Sequence, residues 1–174
     1  MIKVAIRTLM MAALAAPVLA AGPVAGAADE PASPPNTAEV LGKLHASNQK
    51  EIEAGKLAKQ NGSGKAVKEL GDMLVKDHEA ADRLVAGLAK QEKIDLGGAT
   101  PAEAGPMGMV PPGPAFDAKF AQTMVEEHRK DIAEVTAARD RTTDDKLRQL
   151  LANLIPTLQK HQDAAQKVVD AAPR

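Results

Sequence analysis

The chain contains four histidines whose spacing repeats. The interval between His45 and His78 equals that between His128 and His161 (78 − 45 = 161 − 128). A neutral imidazole has one nitrogen lone pair that can bind a transition metal, and the pKa of histidine is close to neutral pH. One histidine on an apolar helix face is usually a hydrogen-bonded core residue. Four in matched register predict a metal site or, as the alternative, a structural or proton-responsive polar cluster.

Each histidine pair is centred on a predicted turn. The midpoint of the first pair is 61.5, inside the breaker sequence Asn-Gly-Ser-Gly at 61–64, and the midpoint of the second is 144.5, inside the region 142–145. Residues equidistant from the turn of an antiparallel helical hairpin lie side by side. We therefore expect each pair to face itself across its own hairpin, and two packed hairpins to bring all four imidazoles to about the same level.

The two pairs belong to a weak internal repeat. The distance in sequence from His45 to His128 equals that from His78 to His161 (128 − 45 = 161 − 78), and we call this distance the shift of the repeat. Glu51 and Glu134 occupy equivalent positions in it, and further acids flank the same helix faces. Acids and a histidine on one half-buried face are unfavourable unless something neutralises them, and a metal ion would do so. The alternative is a solvated charged stripe. The candidate metal ligands are His45, His78, His128, His161, Glu51, Asp77, Glu127, Asp131 and Glu134.

Apolar residues recur at helical spacing, as in Leu70, Leu74, Ala81 and Val85. This periodicity and the breakers between the apolar segments predict four helices, which cover residues 36–60, 65–92, 116–141 and 144–172. The link 94–115 is rich in Gly and Pro and is expected to be irregular.

Local sequence signals mark the starts of two of these helices. Asn36 with Glu39 and Thr142 with Asp145 have the spacing of N-terminal capping boxes. Pro156 lies inside the fourth helix, where it removes one backbone hydrogen bond and is expected to produce a kink.

Helices joined by a short, a long and a short connection predict an all-α fold. We expect residues 37–171 to form a four-helix bundle of two antiparallel hairpins. The long link has enough residues to cross the length of the bundle, but it could equally be an excursion in an up-down-up-down arrangement. The pattern does not choose between these two topologies.

The composition of the 174 residues excludes several classes of function. The net charge is −1 and only 1% of the residues are aromatic, so the chain has neither the basic field nor the stacking platforms that bind nucleic acid. It has no cysteine, which rules out disulfides, thiolate metal ligands and a cysteine nucleophile. No nucleotide-binding glycine fingerprint is present.

The N-terminal segment is typical of a bacterial secretory signal. Lys3 and Arg7 precede an apolar run, and Ala25-Gly26-Ala27 is a small-x-small cleavage sequence. Residues 1–27 are therefore expected to be removed on export, and residues 28–36 to form a flexible Pro-rich linker. The mature protein would be periplasmic or secreted and would retain no transmembrane segment.

The chain resembles an exported bacterial family catalogued as domain of unknown function 4142 and grouped with ferritin-like four-helix bundles. The similarity covers roughly residues 37–170. It rests on Asn48-x-x-Glu51-Ile52-x-x-Gly55-x-Leu57-Ala58, Met73-x-x-x-Asp77-His78 with Leu84, Met124-x-x-x-His128 and Pro156-x-Leu158-x-x-His161. The resemblance implies a ferritin-like bundle in the periplasm or near the outer membrane, and it brings no established activity.

One departure bears on the metal. Ferritin-like di-iron sites carry Glu-x-x-His on two helices, whereas Val75 and Leu158 stand three residues before His78 and His161. A histidine-dominated site suits Zn(II), Cu(II) or Ni(II) better than di-iron. We therefore expect a metal-binding protein. The alternatives are a metal-dependent oxidase or peroxide-handling enzyme, and a structural envelope-stress module whose histidines form only a buried polar network. The sequence does not identify a protein partner.

Overall fold

The computed structural model describes residues 33–97 and 105–171. They contain four long helices: α1 (Thr37–Asn61), α2 (Lys65–Glu92), α3 (Pro114–Arg141) and α4 (Asp145–Ala171). α1 packs closely against α2 and α3 against α4, while α2 and α4 make the main contact between the hairpins. The prediction of an all-α bundle of two hairpins is confirmed. The predicted signal peptide (1–27) and most of the predicted linker (28–36) lie outside the described residues.

The helix ends show which local signals determine them. Asn36 Oδ1 accepts a hydrogen bond from the Glu39 backbone N–H, as expected of an N-cap. α3 begins two residues earlier than predicted, because Pro114 is well suited to the first position of a helix. At α4 the cap is Asp144 rather than Thr142, since Asp144 Oδ1 accepts from the backbone N–H groups of residues 146 and 147. α4 continues through Pro156.

The contacts at the two ends of the bundle settle the topology. Residues 62–64, between α1 and α2, lie beside the start of α3, where Asp117 accepts hydrogen bonds from the Ser63 and Gly64 backbone N–H groups. At the opposite end, the Thr37 hydroxyl donates to Asp144 at 3.0 Å. The link after α2 therefore carries the chain back along the bundle, so that α2 and α3 are parallel. Two hairpins with one long crossover is the connectivity of ferritin-like bundles.

The described part of the link is not wholly irregular. Lys93 ends α2 in the left-handed conformation (φ 57°), and its N–H reaches the carbonyls of residues 89 and 90. Residues Gly105–Met109 form a short 3₁₀ helix. Met107 and Val110 pack on the core near the first turn, which fixes the end of the link before α3.

A polar layer divides the hydrophobic core. One cluster of buried apolar side chains, with Val85 and Leu151 among its members, lies toward the turn between α3 and α4. The other, which includes Leu70 and Phe120, lies toward the turn between α1 and α2. Along α2, α3 and α4 the boundary between the clusters falls at a buried histidine. The polar layer thus crosses the bundle about halfway along its length.

The two helices of the first hairpin touch at a pair of glycines. A Cβ added at Gly55 would lie 2.7 Å from the Gly71 carbonyl oxygen, and one added at Gly71 would lie 2.6 Å from the Gly55 carbonyl oxygen. Only hydrogen fits at either position. This contact sets the close spacing of α1 and α2 and therefore the depth at which α1 side chains enter the core.

Within residues 33–97 and 105–171, none of the helices combines the length and the apolar character needed to cross a membrane.

Candidate metal centre

Three of the four histidines meet in the polar layer. His78 on α2, His128 on α3 and His161 on α4 are buried, with exposures of 4%, 0% and 0%. One ring nitrogen of each lies within 4.8 Å of those of the other two. The ring centroids are 5.1–5.8 Å apart. Three of the four helices thus contribute one imidazole each to a common point, and we call these three residues the histidine triad.

The hydrogen bond of His128 fixes which of its nitrogens carries the proton. Its Nδ1 lies 3.0 Å from the Met124 carbonyl oxygen, one helical turn earlier on α3. A carbonyl oxygen can only accept, so Nδ1–H donates and the neutral ring has its lone pair on Nε2. That Nε2 points at His161, whose Nδ1 is 3.2 Å away.

His161 is oriented by a carboxylate. Its Nε2 lies 3.0 Å from Asp77 Oδ2, which also accepts a hydrogen bond from Lys160. A carboxylate likewise only accepts, so Nε2–H donates and the neutral ring has its lone pair on Nδ1. The lone pairs of His128 and His161 therefore face each other, which is repulsive unless a cation or a proton lies between them.

His78 contributes a third free nitrogen. Its Nδ1 lies 2.9 Å from Asn48 Oδ1, an acceptor supplied by α1. Nδ1–H therefore donates, and the lone pair is on Nε2, a buried atom with no hydrogen-bond partner among the described residues. Buried polar atoms in folded proteins are nearly always paired, so an orphaned one calls for a ligand.

Together the triad presents three lone pairs, while each outer nitrogen donates to a fixed acceptor. Metal-binding histidines have this arrangement, in which the second ring nitrogen donates to a carboxylate or carbonyl oxygen. Two nitrogens bound tetrahedrally at ~2.0–2.1 Å from one ion are about 3.3 Å apart. The 3.2 Å separation of His128 Nε2 and His161 Nδ1 matches that value, and one ring nitrogen of His78 lies within 4.8 Å of a nitrogen on each of these two rings.

The triad is held in the neutral state that binds metal. Burial, with the charges of its two partners, lowers the pKa of His78 to about 3. Burial is also the main reason that the pKa of His128 is lowered to about 4. The pKa of His161 is lowered by burial as well, although Asp77 opposes the shift. At neutral pH the lone pairs are therefore not occupied by protons.

A cavity of about 400 Å³ adjoins the triad on the side of His78. Of the three histidines, His78 lines this cavity, together with its partner Asn48 and with Asp77. Half of the remaining lining residues are leucine, valine or alanine residues of α1, α3 and α4, and several of the others are charged. Of the triad, His78 is thus the residue that separates the cavity from His128 and His161, which are fully buried.

The fourth histidine lies outside the triad. His45 Nδ1 is 2.7 Å from Asp82 Oδ1 on α2, at a partly exposed position beside the hairpin. The prediction placed it level with His78 by centring the first hairpin on 61.5. The turn between α1 and α2 is instead centred on position 63, so that His78 lies nearer to it (78 − 63) than His45 does (63 − 45). Asn48 is as far before the turn (63 − 48) as His78 is after it, and it takes the place beside His78.

The second hairpin shows why four histidines do not converge. Its turn is centred on position 143, so that His128 (143 − 128) lies nearer to it than His161 does (161 − 143). The crossover puts the two turns at opposite ends of the bundle. His45, the histidine farther from the first turn, and His161, the histidine farther from the second, are therefore displaced toward opposite ends. Each displacement of three positions is about 4.5 Å along a helix. His45 and His161 are therefore separated in level, and only one of them can join the central pair.

The predicted acidic ligands are spread around the triad. Asp77 touches His161 but points its carboxylate at the outer nitrogen, where it orients the ring. Glu51 is 2% exposed, and burial, with Glu127 and Asp131 nearby, raises its pKa to about 8. Glu127 pairs with Lys50 on α1, and the pKa of Asp131 is raised mainly by burial. Glu134 is exposed and pairs with Lys130.

Two groups that contact the triad, Asn48 and the Met124 carbonyl, are not among the predicted site residues. The signal for Asn48 is a polar residue within an apolar helical stripe, one turn before Glu51. The Met124 carbonyl lies four residues before His128 on the same helix, but His78 and His161 do not use the corresponding carbonyl. Neither signal specifies contact with a ring nitrogen without the register of the hairpins.

A comparison of the whole chain with known protein families gives one assignment. The family model described as "Domain of unknown function (DUF4142)" matches residues 22–168. No curated protein and no solved structure matches the chain. Because the family match covers most of the sequence, this protein is a member of the family of domain of unknown function 4142.

Proposed function

We propose that this protein is an exported metal-binding protein that holds one transition-metal ion on His78, His128 and His161. The observation that carries the proposal is the convergence of three lone pairs whose partner nitrogens all donate to fixed acceptors. Asn48, the Met124 carbonyl and Asp77 supply those acceptors. They set the tautomer and the direction of each ring before the metal arrives.

The donor set indicates the class of metal. Three imidazoles without a thiolate or a carboxylate suit Zn(II), Cu(II) or Ni(II), whereas Mg(II) and Ca(II) require oxygen ligands. Three protein ligands also leave at least one coordination position for water or another molecule. The remaining acids, Glu51, Glu127, Asp131 and Glu134, lie on the α1–α3 side and do not belong to this set.

A second function is supported by the direct contact between His128 and His161. If His161 is protonated, its Nδ1–H donates to His128 Nε2 and its Nε2–H to Asp77, which satisfies both contacts. The histidines would then form a buried network that stores a proton. Against this, burial lowers the pKa of His161 in spite of Asp77, and the network leaves His78 Nε2 unpaired.

Metal stoichiometry tests the proposal. The mature chain and the variants His128→Ala and His45→Ala are compared by elemental analysis after dialysis against Zn(II), and by competition with a chromogenic chelator. We expect one ion per chain in the wild type and in His45→Ala, and a loss of at least about 100-fold in affinity in His128→Ala, because a direct ligand contributes more than an orienting partner. Equal and negligible zinc in all three proteins would contradict the proposal. Circular dichroism checks that each variant is folded.

Export is a separate part of the proposal and rests on residues 1–27. Expression of the full chain in a Gram-negative host, followed by fractionation and mass spectrometry, should give a periplasmic product that begins near Ala28, or after Ala20 if an earlier cleavage sequence is used. Recovery of the intact N-terminus in the cytoplasm would contradict it.

A further inference from the structure

Of the four helices described above, α1 alone gives no histidine to the triad, but it buries a carboxyl group. Glu51 is 2% exposed, and its Oε2 has no hydrogen-bond partner among the described residues. The carboxyl group reaches Glu127 of α3 and lies near Asp131 and Lys50. Burial of an ionised carboxylate is strongly unfavourable without a compensating partner. This position therefore calls for either a proton or a cation.

The neighbouring charges do not offset the burial of Glu51. Burial itself and the negative charges of Glu127 and Asp131 raise its pKa to about 8. Lys50 opposes this shift, but it is more than half exposed and its ammonium group donates to Glu127. At neutral pH Glu51 therefore carries a proton. A buried acid of this kind destabilises a fold, and sequences accept such exceptions mainly at functional sites.

Two contacts place the carboxyl group of Glu51 near the level of the triad. Asn48, about one helical turn earlier on the same face of α1, accepts a hydrogen bond from His78. Glu127, which Glu51 reaches on α3, directly precedes His128 in the sequence. Helical side chains also lean toward the N-terminus of their helix, which on α1 is the direction of Asn48. Glu51 thus enters the polar layer from the side of α1.

An ion on the triad has what the Glu51 carboxylate lacks. Three neutral imidazoles leave the ion its full positive charge and at least one coordination position, and a glutamate oxygen is a common zinc ligand. The Glu51 oxygens are not among the triad atoms that lie within 4.8 Å of one another. The side chain therefore has to change rotamer to reach the ion, and the contact that it gives up is the one with Glu127.

We infer that Glu51 is the fourth protein ligand of the metal bound to the triad, and that its carboxylate turns from Glu127 to the ion when the ion binds. The inference rests on the proposed metal-binding function. It gives each of the four helices one ligand, and it pairs the charge of the ion with that of the buried carboxylate. Four protein ligands fill a tetrahedral shell, which is typical of sites that hold a zinc ion rather than use it in catalysis.

Proton release on zinc binding tests this inference. Metal ligands must be deprotonated, so at about pH 6 the wild type should release the proton that Glu51 carries, whereas Glu51→Gln has no such proton. His78 and His128, with pKa values of about 3 and 4, are neutral at this pH in both proteins. Zinc-bound water ionises only near a pH of ~7. With a pH indicator in weak buffer, we expect the wild type to release about one proton per zinc more than Glu51→Gln.

Zinc affinity gives a second measure. By chelator competition at about pH 8, we expect Glu51→Gln to bind zinc at least about tenfold more weakly than the wild type, because a direct ligand contributes more than an orienting partner. Glu134→Gln, at the equivalent exposed position of the second hairpin, is the matched control and should keep the affinity and the proton release of the wild type. Urea unfolding of metal-free Glu51→Gln checks that the weaker binding does not come from a less stable fold.

The outcomes separate this inference from the metal-binding function. If the wild type binds no zinc, both fail. If it binds one zinc ion per chain and Glu51→Gln equals it in affinity and proton release, the metal function stands and Glu51 is not a ligand. If His128→Ala retains an ion that Glu51→Gln loses, Glu51 belongs to a separate cation site with its neighbouring acids, and the inference is wrong.

Discussion

The two hairpins are related by the shift that maps His45 onto His128, yet equivalent positions have different surroundings. Glu51 is buried at 2% exposure, whereas the side chain of its counterpart Glu134 is 64% exposed. Gly71 lets α1 and α2 touch, whereas its counterpart Leu154 fills the core. Equivalent positions of the repeat thus keep their spacing in the sequence but differ in burial, because side-chain size and turn position determine how closely each helix packs on its neighbours.

The largest difference concerns the buried carboxyl group. The pKa of Glu51 is raised from 4.5 to about 8, so the folded state binds a proton that the unfolded state releases above pH 4.5. Its favourable effect on stability is complete below pH 4.5 and is lost as the pH rises to about 8. In metal-free protein, we expect Glu51→Gln to gain on the order of 3–5 kcal/mol relative to the wild type between pH 4.5 and 8.

Urea unfolding at several pH values measures this gain. Glu134→Gln, at the equivalent exposed position, is the control and should show the pH dependence of the wild type. If the free energies of unfolding of Glu51→Gln and the wild type depend on pH in the same way over this range, Glu51 is ionised in the folded protein and its pKa is not raised. The comparison between variants removes the contribution of the histidines, which is common to all three proteins.

The next difference lies in the two histidine–aspartate pairs. Asp77 orients His161 inside the triad, whereas Asp82 holds His45 outside it. Asp77→Asn keeps an acceptor and removes the charge, and we expect it to weaken zinc binding by about 10–100-fold, as loss of an orienting partner does. Asp82→Asn should leave zinc affinity within about twofold. Chelator competition measures both, and equal losses would place His45 at the metal.

The glycine contact of the first hairpin should tolerate no methyl group. Gly71→Ala brings a Cβ to 2.6 Å from a backbone oxygen, and overpacking of this kind destabilises by about 1–3 kcal/mol, partly offset by the ~1 kcal/mol helix preference of alanine. Gly87→Ala, also in α2 but with nothing within 4 Å, is expected to stabilise by about 0.5–1 kcal/mol. Thermal unfolding of both variants tests the pair, and a stabilised Gly71→Ala would contradict the close approach.

The smallest expected effect is the difference in stability between variants of two helix caps at one end of the bundle. Asp144 caps α4 through two backbone N–H groups and also binds Thr37 of the other hairpin. Asn36 caps α1 through a single N–H. We expect Asp144→Ala to reduce the free energy of unfolding by about 1–2 kcal/mol and Asn36→Ala by about 0.5–1 kcal/mol. The reverse order in chemical denaturation would mean that the contact with Thr37 contributes nothing.

Periodicity and breakers are sufficient to predict the helices. The predicted bounds of α2 are those of the structure, and α1 differs by one residue at each end, since Gly and Asn in the 61–64 turn mark its end strongly. Inward placement of His78, His128 and His161 follows from their position among residues such as Leu74 and Met124. These features depend on the local sequence, because the spacing of apolar residues along a helix shows directly which side of it is buried.

Relative level and topology depend on contacts between distant residues. The crossover is fixed by the contacts of Asp117 with residues 63–64 and of Thr37 with Asp144, which no periodicity records. The turn centre lies at position 63 rather than 61.5, and this small difference is enough to exchange His45 for Asn48 beside His78. Site prediction in bundles therefore needs the turn centre more than it needs the spacing of the ligands.

The crossover would give a metal ion at the histidine triad a second effect on the chain. An ion bound to both His78 and His128 would close the loop between these two residues, and that loop contains the whole Gly/Pro-rich link. Because the site exists only in the folded chain, the ion would stabilise the fold by about 4 kcal/mol when its free concentration is about a thousand times its dissociation constant. The centre would then act as a reversible clasp between the hairpins, in a protein that has no cysteine with which to form a disulfide.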